Sequence, residues 1–502
     1  MRVTNQMMSN RMMLNLTRNM NRMDNLANQL ASGKRITFPS DDPILAARAL
    51  KFRTSLRETQ QYMRNVGQGL SWMGATDAAF IGVTEVVTNM RNNFNSAINA
   101  DKQLQERQAI INTISQMKAQ LGSFMNTPYA GRYVFSGFRT NHPPIFEVDQ
   151  PDLVFAVEQH FRFADMETTN VIQRDSSNPL NAVQLREGVR IIKLAYAGNI
   201  PEIEVSLAGW TGNLVPFNAA NAHIADLTAY DPDPDDIHFI EATGELILGS
   251  NVANLLQSNE MNVRFVREGF TAGELNPKIY FNSFDISEST STSADALDVF
   301  GYTAQDLIDY NIAHFHNDIG SITDQRLEFE FSFNTRIPIN TLARNVVTDK
   351  LHADLRELIR FVNSMEGMLS NPQALEQAIR NAEPNWTDEQ VQAALTQQIA
   401  AENSQINTAM QNRFNSMLAR IDTHYQQISR QEADHGSRMQ RLDMIRLRLE
   451  EDQLNFRELI SDNEDADLAE VATFMAMARA AYEASLRVGA SVLQLTLADF
   501  IR

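Results

Sequence analysis

Two histidines and a nearby carboxylate form a candidate metal site in the sequence. His314 and His316 are separated by one residue, and Asp318 follows two positions later. Imidazole and carboxylate groups are ligands that zinc and other transition metals accept. Because an isolated pair of histidines does not define a ligand set, we favour the alternative interpretation, in which surface histidines precede a turn at Asn317.

Carboxylates are also concentrated in residues 231–236, which read Asp-Pro-Asp-Pro-Asp-Asp. This segment could bind Ca²⁺, but it lacks the glycine and the distal glutamate of an EF-hand loop. We therefore interpret it as a solvated linker stiffened by its prolines. The sequence contains no GxxxxGK[ST], GxGxxG, GxSxG or HExxH pattern. No catalytic residue and no cofactor are predicted, and an enzyme activity could reside only in the central part of the chain.

The composition favours a soluble chain whose partners are other proteins. At 502 residues, the chain has room for roughly three domains. The net charge of -19 argues against a general nucleic-acid binder, because phosphate recognition needs a basic surface. The absence of cysteine excludes disulfides and would suit export in an unfolded state. We see no Sec-type signal, and the longest uncharged apolar stretch, residues 488–498, is shorter than a membrane span of about 20 residues.

The N-terminal part of the chain is predicted to be helical. Apolar residues recur every three or four positions along the first helix, which ends at Gly33. This seam comprises Met13, Leu16, Met20, Met23, Ala27 and Leu30. Asp42 before Pro43 predicts an N-cap with proline at the first helical position, so a long second helix begins there. A third helix is predicted through residues 110–124.

The sequence period changes to that of β-strands between about residue 128 and residue 340. Short β-branched and aromatic runs occur at 133–135, 145–148, 153–157, 202–205, 245–248, 278–281 and 327–333. The helical period returns in residues 347–365 and 442–459. The predicted fold class is therefore α+β: an elongated protein in which N- and C-terminal helices form a coiled-coil-like bundle, with an inserted β-rich block of one or two domains.

These changes of period divide the chain into five segments. Residues 1–36 form an N-terminal assembly helix, and residues 461–502 form a C-terminal assembly helix. Residues 37–139 and 341–460 are the two halves of a helical core domain. Residues 140–340 are the inserted β-rich outer domain or domains.

The last helix is apolar on two sides. One seam includes Val488 and Val492, and the other includes Leu486, Leu493, Leu497 and Phe500. A helix that is apolar around most of its circumference is unstable alone in water and needs partners. We expect these residues, together with Met13, Leu16, Met20, Met23 and Leu30 of the first helix, to form an assembly interface. Periodicity equally allows an intramolecular bundle in which the terminal helices close a core.

Three motifs resemble the flagellin superfamily and, within it, the family of hook–filament junction proteins. The first runs from Leu30 to Ile36 and continues with Pro39, Ser40, Asp41, Asp42 and Pro43. Pro43 is typical of the junction family, since filament flagellins usually have alanine and glycine there. The second is Gly131–Phe138, which contains Tyr133, Phe135, Ser136 and Gly137. The third is the acidic segment 461–470 with the tail that follows. The resemblance covers residues 1–140 and 340–502.

This resemblance implies a structural protein that assembles through its two termini. Family members form a helical inner tube from both ends and carry variable β-domains that face solvent. The implied partners are copies of the same chain, hook-associated protein 1, flagellin, and an export chaperone on the C-terminal helix, with no nucleic acid and no membrane insertion. The implied location is the hook–filament junction of a secreted flagellum, after type III export without cleavage. Two alternatives remain: a filament flagellin, and a flagellar surface protein whose central block binds glycans.

Overall fold

The computed structural model describes residues 5–36, 38–40, 42–99, 103–173, 180, 184–217, 228–287 and 325–500. Long helices occupy both ends of the chain, and all the described strands lie between residues 128 and 338. The helices are α1 (Asn5–Ser32), α2 (Pro43–Ala97), α3 (Leu104–Met125), α4 (Ser250–Leu256), α5 (Pro277–Tyr280), α6 (Ala343–Val346), α7 (Asp349–Met368), α8 (Pro372–Ala382), α9 (Asp388–Glu464) and α10 (Leu468–Phe500).

The strands form two larger sheets and two hairpins in the described part of the chain. The strands are β1 (Pro128–Tyr129), β2 (Arg132–Tyr133), β3 (Gln150–Phe161), β4 (Glu167–Gln173), β5 (Gln184–Lys193), β6 (Glu202–Leu207), β7 (Leu214–Phe217), β8 (Ile237–Ile240), β9 (Glu245–Leu248), β10 (Met261–Phe270), β11 (Asn282–Asp285), β12 (Glu328–Ser332) and β13 (Thr335–Pro338). One sheet has the order β11-β3-β10-β6 and is antiparallel throughout. The other has the order β4-β5-β9-β8-β7, in which only β7 and β8 are parallel. The hairpins are β1-β2 and β12-β13.

The chain divides into two compact units. The first unit contains residues 1–68, 330–336 and 441–502, and the second contains residues 69–329 and 337–440. Helices α2 and α9 each contribute residues to both units. In the second unit, buried aromatic rings fill the core, and the ring of Tyr196 makes edge contacts with Phe265, Phe270 and Phe281.

The predicted α+β class, with helical ends around a strand-rich centre, is confirmed. Helix α1 ends at Ser32, directly before Gly33, whose φ of 66° is a left-handed conformation that glycine adopts at low cost. The N-cap of α2 is also as predicted. Asp42 Oδ1 accepts hydrogen bonds from the backbone nitrogens of Ile44 and Leu45, each at 3.0 Å.

Two of the strand predictions are wrong. Residues 278–281 largely belong to the short helix α5, where the Asn276 side chain accepts a hydrogen bond from the backbone nitrogen of Lys278 and Pro277 occupies the first turn. This capping chemistry outweighs the β-branched and aromatic character of the run. Residues 145–148 form no strand, and only Ile145 makes a bridge, to Leu275.

Helix α9 is longer than the apolar pattern indicated. It is 77 residues long, and it includes the polar stretch between residue 388 and Leu442. A helix that is exposed over most of its surface can contain many polar residues. The apolar period alone therefore underestimates the length of such a helix.

Candidate assembly surface

The terminal helices α1 and α10 pack antiparallel in the first unit. The Met12 side chain lies against Gly489, and the Asn19 side-chain amide donates a hydrogen bond to Ser485 Oγ (2.9 Å). Further along the pair, a small apolar cluster contains Leu26, Val471 and Ala478, with Met23 and Met475 packed against it. The positions on each helix are spaced by threes and fours, as in a two-helix seam. Many of the side chains in this seam are small or polar.

The predicted seam of α1 does not lie entirely in this helix pair. Leu16 and Met23 are partly buried, as expected of residues at its edge. Met13, Met20 and Leu30 are exposed, and Met13 retains 64% of its accessible surface. The packed seam is rotated by about one position and runs through Met12, Asn19 and Leu26. The predicted interface residues of α1 are therefore divided between the pair and the free surface.

The predicted residues of α10 also lie outside the packed seam where their side chains are described. Leu486 retains 44% of its accessible surface and Val488 retains 59%. Val492, Leu493, Leu497 and Phe500 lie in the last part of the same helix, but their side chains fall outside the described set. Other large apolar side chains are exposed on these two helices: Met7, Met8, Leu14, Leu468, Phe474 and Met477. Together with Met13, Met20, Leu30, Leu486 and Val488, we call them the outer apolar face.

A polar clasp joins the end of α1 to the start of α10. The backbone nitrogen of Arg35 donates a hydrogen bond to the Glu464 carbonyl (2.6 Å). Lys34 and Asp465 form an isolated antiparallel β-bridge. The Glu464 carboxylate is almost fully buried, with Arg53 Nη2 at 2.5 Å and Lys34 Nζ at 3.7 Å. Lys34 also bonds Asp465 at 2.5 Å, and this hydrogen bond is the main reason that the pKa of the Asp465 carboxyl lies below its usual value. The clasp fixes the register of the two helices.

An apolar cavity of about 450 Å³ lies beside this clasp. Its walls come from the segment between α1 and α2 and from the first turns of α2. Apart from the clasp residues Lys34, Arg53 and Glu464, it is lined by Ile36, Phe38, Pro39, Pro43, Ala46, Ala47, Ala49 and Leu50. The family motif supplies part of this wall: Pro43 lines the cavity, Ser40 is exposed in the preceding turn, and Asp41 lies outside the described residues.

The second family motif forms a packed turn in the second unit. Phe135 is fully buried with its ring edge-on to Phe80, and the Ser136 hydroxyl donates to the His142 carbonyl (2.6 Å). Gly137 has a φ of 60°, and a β-carbon there would approach Leu342 Cδ2 to 2.9 Å. The Tyr133 nitrogen donates to Thr140. The motif therefore forms the turn that follows α3, where the chain enters the strand-rich region. It lies beside Leu342, in the segment that leads from the last strand back to the helices.

A buried ion network is the densest group of charges in the second unit. Glu167, Asp354 and Glu357 form the one group of three potential metal ligands found in the described residues. Lys193 Nζ lies 2.8 Å from Glu167 and 3.0 Å from Asp354, and it also bonds Glu357. Arg420 Nη1 lies 2.7 Å from Asp354 and 2.9 Å from Glu167. Protein cations thus occupy the space between the carboxylates, and we assign no metal to this group.

The electrostatics of this network follow from burial and charge balance. Burial alone would raise the pKa of the Glu357 carboxyl, but Arg413, Lys193 and Arg420 outweigh it and lower that pKa to about 2. The pKa of Asp354 is lowered in the same way, chiefly by Lys193 against the effect of burial. Burial raises the pKa of Glu167, which is the more exposed carboxylate. The network ties β4 and β5 to α7 and α9.

The acidic segment 231–236 gains no metal site in the described part of the chain. In the acidic segment, Asp235 accepts a hydrogen bond from the Asn251 side chain (2.7 Å) and Asp236 accepts one from the Asn213 nitrogen (2.7 Å). Asp231 pairs with Arg186. These contacts hold the loop to its neighbours, while Asp231, Asp233 and Asp235 remain exposed to solvent. His314, His316 and Asp318 lie outside the described residues.

Sequence reasoning missed both the clasp and the ion network. A signal for the network was present, because Asp354 lies three positions after Leu351 and one before Leu355 on the apolar face of α7. A charged residue inside an apolar seam indicates a buried partner. For the clasp, no pattern in the sequence relates Lys34 to Glu464, which is 430 positions away.

Comparisons with known proteins find similarity to flagellar proteins. Residues 3–140 match the model of the bacterial flagellin N-terminal helical region. The chain is 27% identical over 148 residues to flagellar hook-associated protein 3 of Escherichia coli (strain K12), covering 29% of this chain and 47% of that protein. It is 27% identical over 145 residues to flagellar hook-associated protein 3 of Salmonella typhimurium, covering 29% and 46%. The chain thus spans about half the length of the curated relatives it matches.

Solved structures add little to this comparison. The crystal structure of the flagellar junction protein FlgL from Legionella pneumophila is 9% identical, covers 84% of this chain and 100% of that chain, and has a TM-score of 0.31. Within the described residues, we find no helix that is both long and apolar enough to cross a membrane.

Proposed function

We propose that this chain, a member of the flagellin superfamily through residues 3–140, is a structural subunit that joins the flagellar hook to the filament. Its work is assembly and not catalysis. Copies of the chain bind one another, hook-associated protein 1 on the hook side, and flagellin on the filament side. The names of the two curated relatives support this location in the flagellum.

The observation that carries the proposal is the distribution of side chains on the two terminal helices. Their shared seam combines the small or polar residues Asn19, Ser485, Ala478 and Gly489 with the apolar residues Leu26 and Val471. The outer apolar face, by contrast, leaves methionine, leucine, valine and phenylalanine side chains in water. A concentration of large exposed apolar side chains on two paired helices is typical of a protein interaction site. The methionines suit an interface that must adapt to two different neighbours, because their side chains are flexible.

Repetition of one contact between identical chains explains how such a subunit builds a ring or a tube. A surface that binds a different surface on the next copy generates closed rings or open helical assemblies. The predicted interface residues Met13, Met20, Leu30, Leu486, Val488, Val492, Leu493, Leu497 and Phe500 belong to this surface in the proposal. The five-segment division of the chain, with assembly helices at 1–36 and 461–502, is part of the same proposal.

Secretion by flagellar type III export, without cleavage, completes the proposal. An apolar helix such as α10 requires cover before it reaches its neighbours. A chaperone groove that holds its apolar face would supply that cover, as grooves do for other amphipathic helices. The absence of cysteine means that no disulfide has to be broken for the chain to pass a narrow channel.

The decisive experiment is deletion of the gene followed by electron microscopy of the cells. We expect hooks without filaments, with flagellin shed into the medium, and recovery of filaments when the wild-type gene is restored. An antibody against the chain should label a narrow band at the hook end of each flagellum. Normal filaments after deletion would contradict the proposal. Labelling along the whole filament would show a filament flagellin instead.

A further inference from the structure

The tip of the β12-β13 hairpin carries the most exposed large apolar side chain in the described residues. Phe333 retains 88% of its accessible surface. Its neighbour Asn334 adopts a φ of 59°, a left-handed conformation that asparagine tolerates in turns. A phenyl ring held in water at the end of a hairpin loses the free energy that its burial would gain, roughly 1.5 to 3 kcal/mol. The ring therefore has a strong tendency to bind an apolar surface.

The hairpin presents this ring from a fixed base in the first unit. The Asn65 side-chain amide of α2 donates a hydrogen bond to the Glu330 carbonyl (2.8 Å). Phe331, in strand β12, is fully buried and anchors the hairpin. Phe333 follows Ser332, the last residue of β12, and lies in the turn, so its ring leaves the buried side of the strand and projects from the hairpin tip. Phe333 is thus a rigid projection, not a side chain on a free loop.

The apolar cavity beside the clasp has the properties of a receptor for such a ring. Its volume is about 450 Å³, and its walls between Ile36 and Leu50 are uncharged. The residues from Ser332 to Thr335 at the hairpin tip are also uncharged. Insertion would therefore bury mainly apolar area, and the ring itself brings no charge into the cavity. The charged lining residues Lys34, Arg53 and Glu464 are already paired with one another in the clasp.

The cavity is not filled by Phe333 of its own chain, since that ring is exposed. Ala47 on the cavity wall precedes Asn65 by 18 residues of α2, which corresponds to about 27 Å along the helix axis. The two residues from Glu330 to Ser332 span only about 7 Å of strand. One chain therefore carries a projecting group and a matching cavity at separate places, the arrangement that links identical copies head to tail.

We propose that Phe333 of one copy inserts into the cavity lined by Ile36, Pro39, Pro43, Ala46 and Leu50 of the next copy. This inference rests on the proposed function, because it names one contact of the self-assembly. The contact is heterologous, so each copy uses its hairpin towards one neighbour and its cavity towards the other. It adds a residue outside the terminal helices to the assembly surface.

Chemical cross-linking can test this contact cleanly, because the natural chain has no cysteine. The full-length variant Ser332→Cys/Ala47→Cys keeps Phe333 and places one thiol beside the ring and one on the cavity wall. In cells that lack the natural gene, a short bis-maleimide should yield a ladder of dimers and higher oligomers on an immunoblot. A mixture of the two single variants should give dimers only, and either single variant alone should give none.

Two controls make the result specific. In the same double variant, the further change Phe333→Ser should weaken the contact roughly ten- to hundredfold and abolish the ladder. The pair Ser332→Cys/Ala400→Cys, with its second thiol on an exposed position of α9, should give no ladder. Phe333→Ser should leave the melting temperature of the purified chain unchanged, because the ring is exposed in the monomer. Trp386→Ser, which removes an exposed aromatic ring elsewhere, should leave cross-linking intact.

The outcomes separate this contact from the proposed function. Absence of the ladder, or a ladder that survives Phe333→Ser, would overturn the contact even in cells that assemble normal filaments. Efficient dimers of the Ser332→Cys single variant would also overturn it, since they would show hairpins that meet each other. The proposed function is judged independently, by the loss of filaments from deletion cells.

Discussion

Replacing Lys193 by methionine should destabilise the second unit far more than an equivalent change at its surface. The Lys193 side chain is 7% exposed and bonds three carboxylates, those of Glu167, Asp354 and Glu357. With Arg413 and Arg420, the network has three cations for three carboxylates. Methionine keeps an unbranched side chain of similar shape but leaves one buried negative charge without compensation.

The magnitude follows from the burial of the pair. Removing one partner of a buried ion pair costs about 3–5 kcal/mol, because the other charge stays out of water. Lys350 provides a matched control, since it also pairs with a carboxylate, Asp165, but its side chain is 56% exposed. An exposed ion pair contributes only about 0–1 kcal/mol. We therefore expect Lys193→Met to lose several times more free energy of unfolding than Lys350→Met.

Intrinsic fluorescence is the appropriate assay. The three tryptophans, Trp72, Trp210 and Trp386, all belong to the second unit, so urea unfolding followed by fluorescence reports on the unit that holds the network. The free energies of unfolding of the wild type and of both variants are compared at neutral pH. Equal losses for the two variants, or no loss for Lys193→Met, would refute the claim that this network is a buried, balanced set of charges.

The same variant should change how stability depends on pH. The pKa of Glu357 is about 2 in the folded chain and about 4.3 for an ordinary glutamate. A lowered carboxyl pKa stabilises the fold above the unfolded value, and this contribution is lost as the pH falls towards 2. The difference between wild type and Lys193→Met should therefore shrink below about pH 4.3. Glu167, whose pKa is raised chiefly by burial, contributes with the opposite sign at higher pH.

Three further predictions concern the assembly surface and the family motif. Leu486→Asp should abolish filament attachment while changing the stability of the monomer, measured by circular dichroism, by less than about 0.5 kcal/mol, because the side chain is already exposed; a large loss of stability would place it in the monomer core. Gly137→Ala should destabilise the second unit by about 1–3 kcal/mol in urea, since its positive φ and its contact with Leu342 both oppose a β-carbon; unchanged stability would contradict this. Glu464→Gln should weaken the bond to Arg53 and speed hydrogen exchange in α10, and unchanged exchange would mean that the clasp does not hold the pair.

Local patterns predicted the helices well because they depend on neighbouring residues. The end of α1 at Gly33 and the cap of α2 at Asp42 follow from the conformational freedom of glycine and from side-chain capping. The same logic was overlooked at Asn276, whose cap begins a helical turn in a run that looks like a strand. Propensity was the weaker signal there, because capping satisfies backbone groups directly.

Periodicity predicted which helices pair but not which side chains face inward. A shift of one residue rotates a helix face by about 100°, and Met13 and Met20 differ from the packed positions Met12 and Asn19 by only that step. An apolar pattern in the sequence also does not distinguish the side chains that pack within the helix pair from those that stay exposed on its outer face. The packed seam was harder to recognise because it contains Asn19 and Ser485 in place of large apolar residues.

The terminal helices carry polar side chains in their shared seam and large apolar side chains on their exposed surface. Such a pair can align in one register and still leave apolar area for other chains to bury. The Asn19–Ser485 hydrogen bond contributes about 1 kcal/mol, enough to favour one register but not to stabilise two long helices alone. Each large side chain of the outer apolar face gains about 1.5 to 3 kcal/mol when a neighbour buries it fully. Among the side chains that the structure describes, the outer apolar face has more large apolar members than the cluster of Leu26, Val471 and Ala478, so burial by neighbouring chains would add apolar free energy that this cluster does not provide. In the proposed assembly, the hydrogen bond within the seam sets the alignment of the pair, and burial of the outer apolar face by neighbouring chains stabilises the assembled state.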